Sequence, residues 1–161
     1  MRGPAEDPAA WLWFRVGGGN FAIPLAAVAE VTAATTPSLI PLVPRSVGGI
    51  LNLRGEPLPA LVGGALFGTG DLSLGDFLLV LEHEQRRVGV LVSEVRGIEG
   101  VRRSAPPEDA PAGPPFVEWI VCNRETLGLI EPEGLFDAVT ALLLASVARD
   151  TQGDGSCQHG F

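Results

Sequence analysis

The sequence contains no lysine, only two cysteines and two histidines, and no long apolar run. Cys122 and Cys157 form no CxxC pair, so a disulfide framework is not predicted and a reducing compartment fits. No apolar stretch reaches the ~18 residues that cross a bilayer. The first ten residues carry acids and prolines where a signal peptide has a basic start and an apolar run. We therefore expect a cytoplasmic protein with no direct membrane insertion.

Positive charge is also scarce. Lysine and arginine together number 11 against 19 acidic residues, which gives a net charge of -8 and an isoelectric point near 4.7. Nucleic-acid binding requires a basic patch, and an anionic membrane surface repels an acidic protein. The composition therefore excludes nucleic acid as an expected partner.

Side chains with catalytic chemistry are few. An enzyme needs a nucleophile, a base or a metal cluster. His83 lies between Glu82 and Glu84 at a predicted hairpin tip, where neighbouring strand residues point to opposite faces and do not converge on a metal. A solvated tip is predicted there, and Cys122, in an apolar strand, is predicted to be a core residue. The sequence predicts no catalytic residue, no cofactor and no metal.

The pattern of apolar residues predicts a mainly β fold. Four hairpin signals, centred on residues 17–20, 54–56, 82–87 and 123–126, favour small β-barrels. A C-terminal amphipathic helix is predicted to begin at 131–133 and to cover the sheet with an apolar stripe. Residues 1–10 are predicted to be a flexible N-terminus, 11–149 the folded domain, and 150–161 a disordered tail.

One hairpin places a single arginine at its tip. Because side chains alternate along a strand, Leu51 and Leu53 share one face, while Ile50, Asn52 and Arg54 share the other. Arg54 therefore leaves the core face and is predicted to be a presented charge.

The residues after Arg54 shape the turn and the returning strand. Gly55 can take the positive φ that a tight turn requires. Pro57 and Pro59 remove two backbone donors, so the returning strand is predicted to be an edge or irregular strand. The segment 63–70 is predicted to be too rich in glycine for a stable helix, and 102–115, with five prolines, is predicted to be an exposed loop.

Several motifs occur in an order and spacing that are specific together. In these motifs the chain resembles the CheW-like coupling proteins of bacterial chemotaxis, over roughly residues 11–146. The most specific motif combines Asn-Leu-Arg-Gly with an upstream Val-x-Glu. The motifs are Phe21-Ala22-Ile23-Pro24, Val28-x-Glu30-Val31, Gly49-Ile50-Leu51-Asn52-Leu53-Arg54-Gly55 with Pro59, Gly89-Val90-Leu91-Val92 with Val95, and the terminal hairpin and helix.

The resemblance implies a fold of two small SH3-like β-barrel subdomains that share a core, with a C-terminal helix and a groove between the barrels. It implies a non-catalytic adaptor that couples the cytoplasmic tip of chemoreceptors to the regulatory domain of a chemotaxis-type histidine kinase, recruited to membrane receptor arrays. The partner-facing positions carry over onto Val28, Glu30, Gly49 and Arg54, and Asn52 beside Arg54 belongs to the same protein-binding set. Glu30 is expected to orient Arg54, and an aspartate at Gly49 is expected to block docking.

Two other interpretations stay open at this point. The family pattern continues after the proline with an Asp-Leu-Arg segment, whereas this chain has Pro59-Ala60-Leu61-Val62-Gly63-Gly64. This departure suits a divergent member that regulates a motility or biofilm sensory kinase. The interpretation from a different class is a small β-barrel ligand-binding protein or enzyme that uses the groove as its pocket.

Overall fold

The structure is a computed structural model, which describes residues 6–39, 44–70, 73–102, 106–111 and 113–144. Ten strands, a one-turn 3-10 helix at Leu25–Ala27, the short helix α1 (Gly63–Leu66) and the helix α2 over residues 132–144 make up the described part. The strands are β1 (Glu6–Val16), β2 (Gly19–Pro24), β3 (Val28–Ala33), β4 (Val47–Leu53), β5 (Glu56–Val62), β6 (Phe77–His83), β7 (Arg86–Val92), β8 (Glu94–Arg102), β9 (Val117–Cys122) and β10 (Glu125–Ile130).

The strands form two five-stranded sheets. The first, barrel A, has the order β8-β1-β2-β10-β9, and the second, barrel B, has the order β3-β6-β7-β5-β4. In each sheet two hairpins are joined by one parallel pair, β2 with β10 in barrel A and β5 with β7 in barrel B. The predicted fold class, mainly β with two small SH3-like subdomains and a C-terminal helix, is confirmed.

The two barrels are the same structure built from exchanged strands. Elements β1 to β5 with α1 follow the same order as β6 to β10 with α2. Barrel A combines β1 and β2 of the first repeat with β8, β9 and β10 of the second, and barrel B combines β6 and β7 of the second repeat with β3, β4 and β5 of the first. The register agrees, since the parallel pair Leu129 and Ala22 in barrel A corresponds to Ala60 and Gly89 in barrel B. The chain therefore consists of two interlocked structural repeats.

Three apolar clusters stabilise this arrangement. Alternation along β1 directs Trp11 and Trp13 into barrel A, while Leu12 and Phe14 point to the other face. Barrel B has its own interior cluster around Leu51 and the strands beside it. The largest cluster contains residues from both sheets and from α2, so it lies between the barrels and is the predicted shared core.

The first strand begins earlier than expected. Residues 6–10 belong to β1, where Glu6 pairs with Arg102 and Asp7 with Val101 of β8. The predicted start of the folded domain at residue 11 therefore lies inside β1, because Glu6 and Asp7 pair with β8, a strand that the sequence pattern did not reveal. Residues 1–5, the predicted boundary at 149 and the predicted tail 150–161 lie outside the described residues.

Two local expectations around the glycine- and proline-rich segments need correction. Strand β5 was expected to be an edge or irregular strand, but it lies inside its sheet between β4 and β7. The two prolines are tolerated because Pro57 and Pro59 precede the stretch Ala60–Val62 that pairs with β7. The segment after it forms one helical turn despite its glycines. A Cβ on Gly63 would lie 2.5 Å from the carbonyl oxygen of Leu91, so close packing favours glycine there.

Glu84 and Gln85 at the tip of the β6–β7 hairpin are exposed, as predicted, but His83 beside them is partly covered by α2 and is less solvated than expected. The His83 ring lies 5.8 Å from the Phe136 ring, and the Arg86 guanidinium lies over the same ring, 5.4 Å from its centre. Arg86 Nη1 also donates to Asp137 Oδ1 and to Thr140 Oγ1, both at 3.3 Å. These contacts fasten the tip of a barrel B hairpin to the C-terminal helix.

We expect Arg86→Ala to lower the free energy of unfolding by about 1 kcal/mol, because one cation–π contact and its hydrogen bonds are lost. Urea unfolding followed by circular dichroism measures this change. An Arg86→Ala protein with the wild-type midpoint would show that the hairpin tip contributes nothing to the docking of α2.

Candidate functional site

The Arg54 hairpin turn has the geometry that presents its arginine to solvent. Arg54 and Gly55 both have positive φ, 50° and 89°, which is a type I′ turn and matches the twist of β4 and β5. The Asn52 Oδ1 atom accepts a hydrogen bond of 2.7 Å from the Gly55 N–H. Leu51 is buried and Ile50 and Asn52 are exposed, as the alternation predicts.

Arg54 and Glu30 form a two-pronged ion pair across the edge of barrel B. Arg54 Nη1 donates to Glu30 Oε2 at 3.1 Å, and Arg54 Nη2 donates to Glu30 Oε1. The Arg54 side chain is 68% exposed and that of Glu30 is 28% exposed. Since β3 and β4 are the two edge strands of this sheet, the pair spans the seam of the barrel and fixes the arginine in place.

The pair changes the acidity of both groups. The hydrogen bond from Arg54 is the main reason that the pKa of Glu30 lies below its ordinary value of 4.5, with attraction to Arg54 and Arg87 adding to it and burial opposing it. The hydrogen bond to Glu30 likewise raises the pKa of Arg54. Because the pKa of Glu30 is depressed in the folded protein, the pair stabilises the fold above pH 4.5, and this contribution is lost as the pH falls through the folded pKa.

We expect Arg54→Ala to raise the pKa of Glu30 toward its ordinary value, because the main hydrogen bond to the carboxylate is lost. An NMR titration of the Glu30 side-chain carboxyl carbon measures this pKa, with Arg124→Ala as the control that leaves it unchanged. A Glu30 titration that is identical in Arg54→Ala and in wild type would contradict the pairing.

Val28 lies at the start of the same strand as Glu30. It is half-buried, pairs with Leu81 of β6 and packs against the shared core. On the same two edge strands, Val31 is 40% exposed and Ile50 is 38% exposed. The edge strands of barrel B therefore also expose apolar side chains that a partner can cover.

Gly49 does not lie on this surface. It is buried beneath Pro37 and Ser38, and Ser38 is hydrogen-bonded to Ile50 in both directions, at 2.8 and 2.9 Å. Gly49 has a φ of 139°, and a Cβ there would overlap the Ser38 carbonyl oxygen and lie 3.0 Å from the Pro37 Cβ. The expectation that Gly49 offers a docking surface is therefore corrected: it lets a neighbouring segment of backbone pass closely.

The described ranges offer little support for a metal site or a reactive cysteine. They contain no group of three or more histidine, cysteine or acidic side chains that could hold a metal ion. Cys122 is buried and free, as expected of a core residue. Within the same ranges, no helix has the length and apolar character to cross a membrane.

Comparisons with known proteins agree with the fold. The chain matches the CheW-like domain family over residues 10–140. It is 29% identical to Protein PilI of Pseudomonas aeruginosa over an alignment of 143 residues that covers 82% of this chain and 80% of that protein. It is 33% identical to Chemotaxis protein CheW of Rhizobium meliloti over 87 residues, which are 53% of this chain and 56% of that protein.

A solved structure has the same fold. The scaffolding protein TtCheW from Thermoanaerobacter tengcongensis superimposes with a TM-score of 0.68 at 22% sequence identity, covering 81% of this chain and 93% of that one. This similarity extends to both barrels, since it covers most of each chain.

Proposed function

The chain belongs to the CheW-like domain family of scaffold proteins, and on that premise we propose that it is a non-catalytic adaptor that couples chemoreceptors to a chemotaxis-type histidine kinase. The kinase would bind through its regulatory domain and the receptors through their cytoplasmic tips, which would recruit the adaptor to receptor arrays. The observation that carries the proposal is the exposed Arg54, held by Glu30 at the edge of barrel B.

The geometry of Arg54 suits a partner that offers a carboxylate. A guanidinium has five N–H donors in a planar fork, and the pair with Glu30 uses two of its nitrogens. Because the side chain stays largely exposed, its remaining donors can hold an acidic side chain on a partner helix. Exposed apolar residues of the same edge strands, Val31 and Ile50, would supply most of the buried contact, and the arginine would set orientation and specificity.

Calorimetric titration tests the proposal. The full chain is titrated with the regulatory domain of the sensory kinase from the same organism and, separately, with a receptor tip fragment. We expect saturable binding to both. An absence of heat with both partners, from protein shown to be folded, would overturn the adaptor assignment and leave only the shared fold.

A second candidate has support from the relatives. The similarity to Protein PilI covers 82% of this chain, whereas the similarity to Chemotaxis protein CheW covers 53%. This favours, as the alternative, an adaptor that serves a motility or biofilm sensory kinase through the same surface. Parallel titration with the regulatory domains of every such kinase in the organism separates the two candidates by affinity.

A further inference from the structure

Five charged side chains interact with one another on barrel B beside the Arg54 hairpin. Three are acidic and two are basic, so this cluster has one negative charge in excess. Hydrogen bonds close two ion pairs within it, Arg54 with Glu30 and, at 2.8 Å, Arg87 with Glu82. These pairs neutralise both arginines and leave the charge of the fifth side chain, Glu56, uncompensated.

Glu56 is the most exposed member of the cluster. Its side chain is 75% exposed, compared with 68% for Arg54. Among the described residues its carboxylate accepts no hydrogen bond, and its one ion-pair contact is with the Arg87 guanidinium, at 3.8 Å. The pKa of Arg54 is raised mainly by the hydrogen bond to Glu30, and attraction to Glu56 adds to the rise. Glu56 is therefore an exposed, unpaired acceptor close to the arginine that faces the partner.

The equivalent glutamate of barrel A is paired within the protein. Glu125 begins β10 as Glu56 begins β5, each as the first residue of the second strand of its hairpin. Arg96 of the edge strand β8 donates a hydrogen bond of 3.3 Å to Glu125, whose side chain is 46% exposed. The corresponding edge strand of barrel B, β3, carries Glu30 and offers Glu56 no cation. The unpaired carboxylate therefore distinguishes Glu56 from the same position in the other barrel.

We propose that Glu56 is a specificity-determining residue of the partner surface and binds a lysine or arginine that the partner presents beside the acidic side chain held by Arg54. This role rests on the proposed adaptor function. Arg54 and Glu56 flank Gly55, so the hairpin offers a cation and an anion side by side.

The two opposite charges select the partner by its charge pattern. Side chains three or four residues apart are neighbours on a helix, so an acidic and a basic residue at that spacing would pair with Arg54 and Glu56 together. A partner helix with two acidic residues there would bring one of them against the Glu56 carboxylate and would be disfavoured. Glu56 would thereby also fix the direction in which the helix lies across the hairpin.

The first experiment removes the charge of Glu56 in the full chain. The kinase regulatory domain and the receptor tip fragment are titrated calorimetrically, and Arg54→Glu identifies which of the two probes the hairpin binds. We expect Glu56→Gln, which keeps the shape of the side chain, to weaken that probe at least about threefold and to leave the other unchanged. Glu125→Gln is the matched control at the equivalent position of barrel A, and we expect it to bind the same probe with wild-type affinity.

The second experiment exchanges charges between the two proteins. We expect Glu56→Arg to weaken the same probe at least about tenfold, and replacement of one lysine or arginine of that probe by glutamate to recover most of the loss. A purely structural role of Glu56 would not be rescued from the partner's side.

The outcomes separate this role from the adaptor function. Absence of binding to both probes by the wild-type chain would overturn the two together. Binding that Arg54→Glu weakens but Glu56→Gln and Glu56→Arg leave intact would overturn the role of Glu56 alone. A loss in Glu56→Arg that no substitution in the probe restores, or binding of both probes that Arg54→Glu leaves intact, would overturn it as well.

Discussion

Replacing Gly49 by alanine is expected to destabilise the protein by about 3 kcal/mol or more, because a side chain there is both strained and overpacked. The φ of 139° is one that residues with a Cβ rarely adopt, and the Cβ would overlap the backbone of Ser38. Relief requires the Pro37–Ser38 segment to move, which breaks its two hydrogen bonds to Ile50. An aspartate would add a buried charge to the same strain.

Urea unfolding measures this effect, and Gly100→Ala is the control. A Cβ on Gly100 has nothing within 4 Å, so we expect that variant to stay within about 0.5 kcal/mol of wild type. If Gly49→Ala unfolded at the wild-type midpoint, the 37–38 segment would have to move aside freely. In that case Gly49 would return to the set of candidate docking positions, and lost binding in Gly49→Asp could be attributed to the interface.

Reversing the charge at Arg54 is expected to weaken partner binding by about tenfold or more while thermal unfolding stays nearly unchanged. Arg54→Glu places a carboxylate where the partner offers one, and like charges at an interface are strongly unfavourable. The free energy of unfolding should change little, because Arg54 is an exposed residue at a hairpin tip and exposed ion pairs add little to stability. Calorimetric titration gives the affinity, and scanning calorimetry gives the melting temperature.

Two controls separate docking from structure. Arg124→Glu makes the same change at the turn of the β9–β10 hairpin, where the described residues offer the arginine no ion-pair partner. We expect this variant to bind the partner that contacts Arg54 with wild-type affinity. The double variant Glu30→Arg with Arg54→Glu keeps an ion pair but reverses it, so it should fold normally and still fail to bind. Restored binding in the double variant would mean that the pair acts only by holding β3 to the hairpin.

Local patterns predicted the hairpins and the face of Arg54 correctly. Alternation along β4 is a property of neighbouring residues, so Leu51 could be assigned to the core and Arg54 to solvent from the sequence. The start of α2 was also predicted correctly, because proline and acids precede its apolar stripe. The hypothesis that Glu30 orients Arg54 was made from the sequence, and the structure brings the two side chains together.

The errors concern contacts between segments that are distant in the sequence. Nothing local in the chain places Ser38 over Gly49, so burial of that glycine required the fold. His83 was predicted to be solvated because a charged hairpin tip ordinarily is, but Phe136 of α2 covers part of its ring. Strand β8 contains glycines and exposed charges in most of its positions, which hides its pairing with β1.

The structural repeat is also weakly visible in the sequence. Leu66-Phe67 and Leu135-Phe136 follow equivalent hairpins at the same interval, and Glu56 and Glu125 each begin the second strand of those hairpins. Aligning the two halves on these residues would have paired Gly19 with Arg86 through the preceding hairpins.

The most direct test of the adaptor account is reconstitution of the kinase with receptor-containing membranes, with and without this chain. Kinase autophosphorylation is measured with and without the receptor's stimulus. The account predicts that the kinase responds to the stimulus only when the wild-type chain is present, that Arg54→Glu abolishes the response, and that Arg124→Glu retains it. A kinase that responds equally well without the chain, or with Arg54→Glu, would contradict it.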